Sequence, residues 1–282
     1  MGTNHPYQNR RFVLTSKHCK KSAIEPAFKF LHIELEELAL DTDQLGTFSG
    51  EVERIYSPLE TAITKAKLGM EATGNPLGLA SEGSIGADPF IPWIQSDFEL
   101  IVFVDMENDL IIKEFHRSNE IIAATAVVRA GEDLAEFLQR ADFPRHRLIA
   151  KSEGARDFFT LKGIGSFSEL QKAIEECSLH SPTQQVRLES DFRAMYSPSR
   201  MENIRTAATK LARRVESLCP ACNCPGWGVT DYAKGVDCND CGAENPDITR
   251  QELLGCAKCD YSAPGKSLNK TIEAAQCIYC NP

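Results

Sequence analysis

The chain has 282 residues, enough for about two domains at ~100 to 200 residues each, one of them large enough to bury a core. Apolar residues make up 42% and charged residues 25%, an ordinary balance for a globular protein that excludes collagen, coiled-coil rods and wholesale disorder. The formal net charge of -9, from 31 Lys and Arg against 40 Asp and Glu, argues against an electrostatic nucleic-acid coat and leaves room for a local basic patch.

The first dozen residues, MGTNHPYQNRRF, lack the apolar core of a secretion signal. Phe12-Val-Leu14 is a short apolar run, followed by a helical stretch from Ala23 to Leu31 and an alternating, strand-like segment from Ile33 to Leu40. A helix is expected from Pro58 to Met70, with Ile63, Ala66 and Met70 on one face, and a short strand from Leu77 to Ala80. Glu99–Val104 and Leu110–Phe115 flank Glu107-Asn-Asp109 and read as a hairpin, and Ile121–Arg129 adds a strand. The longest strongly apolar run, Leu100–Val104, is far short of the ~20 residues that cross a bilayer, so a cytoplasmic protein with no membrane partner is expected.

Further along, Glu132–Ala141 is helical, and Arg147–Ala150 and Phe158–Leu161 are short strands. Ser166-Phe-Ser-Glu169 is a capping box, in which the Ser hydroxyl and the Glu carboxylate each satisfy an orphan amide, opening a helix through Cys177. Val186–Ser190 is the last strand before the tail. Ser197 and Pro198 then start a helix in which Met201, Ile204, Ala208, Leu211, Val215 and Leu218 form one apolar stripe. Its Arg205, Lys210, Arg213 and Arg214 suit a solvated face better than a nucleic-acid contact surface.

Nine of the eleven cysteines follow residue 218, and eight of them form the pairs Cys219/Cys222, Cys238/Cys241, Cys256/Cys259 and Cys277/Cys280. Two thiolates separated by two residues grip Zn²⁺ from a tight turn, so eight ligands specify two structural zinc sites. Loops of 15 and 17 residues, 223–237 and 260–276, favour pairing consecutive knuckles into two ribbons, since short loops cost less closure entropy. The crossed arrangement, first with third and second with fourth, is the alternative. Cys224 is expected to be a bystander and Cys177 a buried apolar residue. The expected architecture is an α/β domain over residues 1–218, a mixed sheet flanked by helices, followed by a small C-terminal zinc-ribbon domain over residues 219–282.

Polar clusters follow four of the expected strands. They are Thr15–Lys21, with Lys17 and His18; Asp41–Glu51, with Asp41, Asp43, Gly46 and Thr47; Ser81–Pro89, with Glu82, Ser84 and Asp88; and Glu189–Arg193, with Glu189, Asp191 and Arg193, leading toward Arg200. In an open α/β sheet the carboxyl ends of the strands converge on one crevice. Each residue also has a plainer role, as a turn, a cap or a surface ion pair. Taken together, they suggest a site in which Asp41, Asp43, Glu82, Lys17 and His18 are catalytic. Gly46, Thr47, Ser84, Glu189, Asp191, Arg193 and Arg200 would then bind substrate, with Mg²⁺ or Mn²⁺ as a candidate second cation. Cys19, in a cationic stretch, is a minor candidate nucleophile.

The segments TSKHCKKSAIEP, DTDQLGTFSGEVER, SEGSIGADP and ESDFRAMYSPSRM, with CPAC, CNDCG, CAKC and CIYCNP, resemble the domain-of-unknown-function 6671 family from about residue 11 to 282. The resemblance implies a metal-binding tail and polar loops that form one site. Cys19 and Lys21 depart from it, standing where Gly and Glu are expected, which counts against Cys19 as a required nucleophile. The function expected from all of this is a metal-assisted hydrolase or transferase acting on a small phosphorylated or nucleotide-like anion. The alternative is a non-catalytic nucleic-acid-binding or adaptor module. Nucleic acid is disfavoured because residues 219–282 hold five Lys and Arg against eight Asp and Glu. The oligomeric state is not legible in the sequence.

Overall fold

The computed structural model describes residues 5–42, 56–155 and 159–282. Asp43, Gly46 and Thr47 therefore lie outside the described residues. The chain divides into two compact units, one formed by Tyr7–Asp109 with Lys113–Leu211, the other chiefly by Ala212–Pro282 with Leu110–Ile112. None of the described helices is long and apolar enough to cross a membrane.

The first unit opens with β1 (Arg11–Thr15), a short α1 (Lys21–Ile24) that continues as a 3-10 helix (Glu25–Leu31), and β2 (Glu34–Leu38). α2 (Pro58–Thr73) begins in a complete capping box: the Ser57 hydroxyl accepts the Glu60 amide, and the Glu60 carboxylate accepts the Ser57 amide. β3 (Leu77–Ala87) and β4 (Gln95–Asp105) follow, then β5 (Leu110–Ser118). They assemble a five-stranded sheet in the order β2-β1-β3-β4-β5, parallel at β2-β1-β3 and antiparallel at β3-β4. One face packs on α2 through Val13, Ala62, Ala66, Met70, Ala80, Leu100, Val102 and Val104. On the aromatic side, the Phe12 and Phe103 rings stack 4.7 Å apart, and Tyr7 meets Phe103 edge-on at 4.9 Å.

β3 is longer than its sequence suggests. The stretch Ser81–Ala87, expected as a loop, pairs residue for residue with Gln95–Ile101. Ladder hydrogen bonds and burial of Ser81 and Glu82 override a composition that looks like a turn. At the hairpin tip the Asp88 carboxylate accepts the amides of Phe90 and Ile91 at 2.9 and 3.0 Å, while Phe90 and Trp93 are each 84% exposed.

The same unit holds a second, wholly antiparallel sheet in the order β6-β9-β7-β8, built from β6 (Thr125–Val128), β7 (Leu148–Ser152), β8 (Thr160–Ile164) and β9 (Val186–Ser190). α3 (Ala135–Arg140) and α4 (Phe167–Leu179) cover it through Phe137, Leu170, Ala173, Ile174 and Cys177. The Ser166 hydroxyl accepts the Glu169 amide at 3.2 Å, and the Glu169 carboxylate reaches back to the Gly165 amide at 2.8 Å. α5 (Pro198–Glu216) carries the expected buried stripe in Ile204, Ala208, Leu211 and Val215. The division between the two units falls within this helix.

In the second unit, β10 (Gly228–Cys238) and β11 (Glu244–Gly255) form a long antiparallel hairpin. β12 (Ser262–Ser267) adds to β11, and β13 (Thr271–Ile272) adds to the end of β10, giving the order β12-β11-β10-β13. Its described hydrophobic core is small: Val236, Cys238, Ile272 and Cys277, with Ile248 packed against it.

Candidate functional site

The eight paired cysteines gather into two tetrads, Cys219, Cys222, Cys256 and Cys259, and Cys238, Cys241, Cys277 and Cys280. The knuckles therefore pair first with third and second with fourth, which corrects the consecutive pairing favoured by loop length. The reason is strand geometry. β10 has 11 residues, a span of roughly 35 Å at ~3.3 Å per residue, so Cys222 before it and Cys238 at its end lie too far apart to share an ion. β11 then runs back and delivers Cys256 beside Cys222, while β12 and β13 return the chain to Cys238, where Asn239 donates to the Ile272 carbonyl at 2.9 Å.

The sulfur spacings suit zinc. Cys219–Cys259, Cys222–Cys256, Cys238–Cys280 and Cys241–Cys277 lie 3.8, 3.6, 3.9 and 3.8 Å apart. A tetrahedron with Zn–S of ~2.3 Å has sulfur–sulfur edges of ~3.8 Å. Backbone amides of Lys258 and Tyr279 point at the sulfurs of Cys256 and Cys277, and the Asn245 amide also reaches Cys277, the outer hydrogen bonds that steady thiolates. Burial works against the Cys277 thiolate, but the amides of Tyr279 and Cys280 outweigh it and bring its pKa down to about 6. Cys224 stands apart from both tetrads, its carbonyl accepting the Cys219 amide at 2.8 Å.

A second polar assembly lies on β3 and β4 of the first unit. Cross-strand partners share a face, so Ser81, Gly83, Glu99 and Asp97 lie on one side of the sheet, and Glu82 and Leu100 lie on the other, toward α2. On the α2 side the buried Glu82 forms an ion pair with the half-buried Lys65. On the other side the Arg200 Nε donates to Glu99 Oε1 at 2.5 Å, and its second nitrogen donates to the Phe192 carbonyl at 2.6 Å. Asn203 donates to Asp97 Oδ2 at 2.9 Å, and Lys20 Nζ donates to Ser81 Oγ at 2.9 Å. A Cβ on Gly83 would stand 2.5 Å from Glu99 Oε1, so only glycine lets that carboxylate lie against the strand. Burial, then the neighbouring Glu99, push Asp97 up to about 7. Asp97 Oδ1 and Glu99 Oε2 are buried with no hydrogen-bond partner among the described residues, and one proton held between them would satisfy both. Burial, then the nearby Arg200, lower Lys20 to about 8.

The predicted residues are distributed as follows. Lys17 and Asp41, after the adjacent ends of β1 and β2, form an exposed pair at 3.1 Å. His18 sits beside them, its amide donating to Ser16 Oγ. Glu82 and Ser84 are strand residues, and only Glu82 is buried. Glu189 belongs to the second sheet and pairs with Lys151 at 2.6 Å, and Asp191 is held by Arg193 and the Gly163 amide. Arg200 is the link between these groups, joining Glu99 of the first sheet to the loop that carries Asp191 and Arg193. Cys19 is exposed with φ +53°, a left-handed conformation that favours the glycine the resemblance expects there. Sequence reasoning missed Lys20, Lys65, Asp97 and Glu99. The readable signal was the alternation in β4, which puts Asp97 and Glu99 on the same face as Ile101 and Phe103.

The profile of a family described as Domain of unknown function (DUF6671) matches residues 65–282. That span contains both cysteine tetrads and every member of the ionic cluster except Lys20. No curated protein matches the sequence.

Proposed function

The chain belongs to the domain-of-unknown-function 6671 family, and from that starting point we propose that it is a zinc-binding enzyme acting on a small anionic substrate of the phosphorylated or nucleotide-like kind. In this reading two zinc ions hold the C-terminal unit together, and the reaction takes place at the polar groups around β3 and β4. The observation that carries it is the set of three cations, Lys20, Lys65 and Arg200, and three carboxylates, Glu82, Asp97 and Glu99, distributed over the two faces of β3 and β4, with all but Lys65 buried. Burying such charges costs several kcal/mol per ion, and apolar residues would fill the same space at less expense to stability. Asp97 near 7 and Lys20 near 8 supply an acid and a base that exchange protons close to neutrality. Lys17, Arg193 and Arg200 are the proposed anion contacts. Any Mg²⁺ or Mn²⁺ is assigned to Asp41 and Asp43, because the Lys17–Asp41 pair is exposed and open to exchange while the Lys65–Glu82 pair is covered. A reducing, cytoplasmic setting fits eleven cysteines that are all free of disulfides.

Native mass spectrometry of the purified chain tests the proposal. The expected result is a co-purifying small anion that is lost in Lys20→Met while both zinc ions are retained. A folded protein that binds no anion from a panel of nucleotides and sugar phosphates, in either form, overturns it. One observation favours a protein-adaptor reading instead: Ile278 and Tyr279, between the last two ligands, are 52% and 62% exposed.

A further inference from the structure

The loop after α3 and the start of α5 bring together three side chains that the ionic cluster does not use. His146 Nδ1 lies 2.7 Å from Asp142 Oδ2, and its Nε2 lies 2.9 Å from Ser199 Oγ. The imidazole is 1% exposed, while Asp142 and Ser199 are partly exposed. We propose that Asp142, His146 and Ser199 form a second reactive centre, a Ser-His-Asp constellation in which Ser199 is a nucleophile toward ester-type acyl groups.

The hydrogen bonds select the tautomer this chemistry needs. The Asp142 carboxylate can only accept, so Nδ1 carries the proton. Nε2 is then an acceptor, and it also receives the Ser199 amide at 3.1 Å. The Ile122 amide donates to Ser199 Oγ at 3.2 Å, which leaves the hydroxyl hydrogen to point at Nε2. Burial, the largest influence, holds His146 below its usual pKa and the Asp142 hydrogen bond partly restores it, so the ring is neutral and basic near pH 7. Asp142 is fixed from two further directions. Its Oδ2 accepts Arg145 Nε at 2.7 Å, and its backbone sits at φ +49°, a left-handed conformation that non-glycine residues adopt only when the surroundings impose it. Ser199 lies in the first turn of the 19-residue α5, where the helix dipole favours the negative charge that develops on an attacked carbonyl oxygen.

The reaction balances without a cofactor. Oγ bonds to the acyl carbon as its proton passes to Nε2, and the leaving group departs with that proton as the carbonyl re-forms. Water, giving a proton to the same nitrogen, then bonds to the acyl carbon; the C–Oγ bond breaks as Nε2 returns that proton to Oγ, releasing the acid and restoring Ser199. The competing reading is structural: His146 is an acceptor that fastens the first turn of α5 to the loop after α3. It predicts the same contacts and an inert hydroxyl.

A fluorophosphonate probe separates the two. The full, zinc-loaded chain is incubated with the probe, and adducts are located by peptide mass spectrometry. The proposal expects one adduct, on Ser199, absent in Ser199→Ala and formed at least about 100-fold more slowly in His146→Gln. Asp142→Asn, which keeps the size of the side chain, is expected to slow labelling by a similar factor while near-UV circular dichroism is unchanged. That variant keeps the test decisive if His146→Gln does not fold. No adduct on Ser199 in the folded wild-type chain, or equal labelling rates in wild type and Asp142→Asn, overturns the proposal.

Discussion

Asp97 carries an unusual proton balance for a carboxyl group in a sheet. Its folded pKa, near 7, is above the ordinary value of 3.8, so between those pH values the folded chain binds more protons than the unfolded chain. The stability this contributes is complete below about pH 4 and is lost as the pH rises through 7, with a slope of up to ~1.4 kcal/mol per pH unit. Asp97→Asn should flatten that part of a urea-denaturation profile recorded from pH 4 to 8, and an unchanged slope would show that Asp97 titrates normally. Lys20 has the opposite sign. Lowered to about 8 from 10.5, it contributes stability that is present above 10.5 and lost as the pH falls through 8. Gly83→Ala forces a methyl group into the Glu99 carboxylate and should cost about 1 to 3 kcal/mol, visible as a lowered Tm. Cys19→Gly relieves a left-handed non-glycine residue and should leave Tm equal or higher; a clear loss of activity in that variant would instead give the thiol a role.

Strands and helices differed in how much of them could be read from the chain. α2, α4 and α5 were legible because their signals are local: Ile63 with Ala66 and Met70, Ser166 with Glu169, and the run from Ile204 to Val215 each lie within one element. β3 was legible only as far as Ala80, since Ser81–Ala87 is held in strand by a partner that begins at Gln95. The ionic cluster was hidden for the same reason. Lys20 looks like one more lysine in a basic stretch until Ser81, 61 positions away, turns out to hold its ammonium. The eight cysteine ligands expected for two sites were readable from four short motifs, but their pairing depended on the length of β10. That pairing can be tested by counting zinc in double variants. Cys219→Ser with Cys256→Ser should remove one ion and leave one, whereas Cys219→Ser with Cys238→Ser should remove both. The consecutive arrangement predicts the reverse assignment.

At the scale of the whole molecule, the two units fold on different terms. The first has two apolar cores, while the second has a described core of four residues, two of which belong to a cysteine tetrad. So small a core makes metal at the two tetrads the expected source of most of the second unit's folding energy. A strong chelator should therefore release two zinc ions per chain and abolish amide-exchange protection in β10 to β13, while protection in β1, β3 and β4 persists. Protection lost everywhere at once would show that the units do not fold separately. The Trp227–Tyr261 stack, with ring centroids 5.4 Å apart, makes this transition visible to light. The chain has two tryptophans, and Trp93 at the hairpin tip is already almost fully hydrated. Its emission is set at the red limit and is open to acrylamide whatever the metal content. Trp227, five residues beyond Cys222 and stacked on a tyrosine two residues beyond Cys259, is the fluorophore whose colour and quenching change when that tetrad empties. A chelator titration followed at 295 nm excitation thus reads the surroundings of the first tetrad, against an internal reference carried by the same chain.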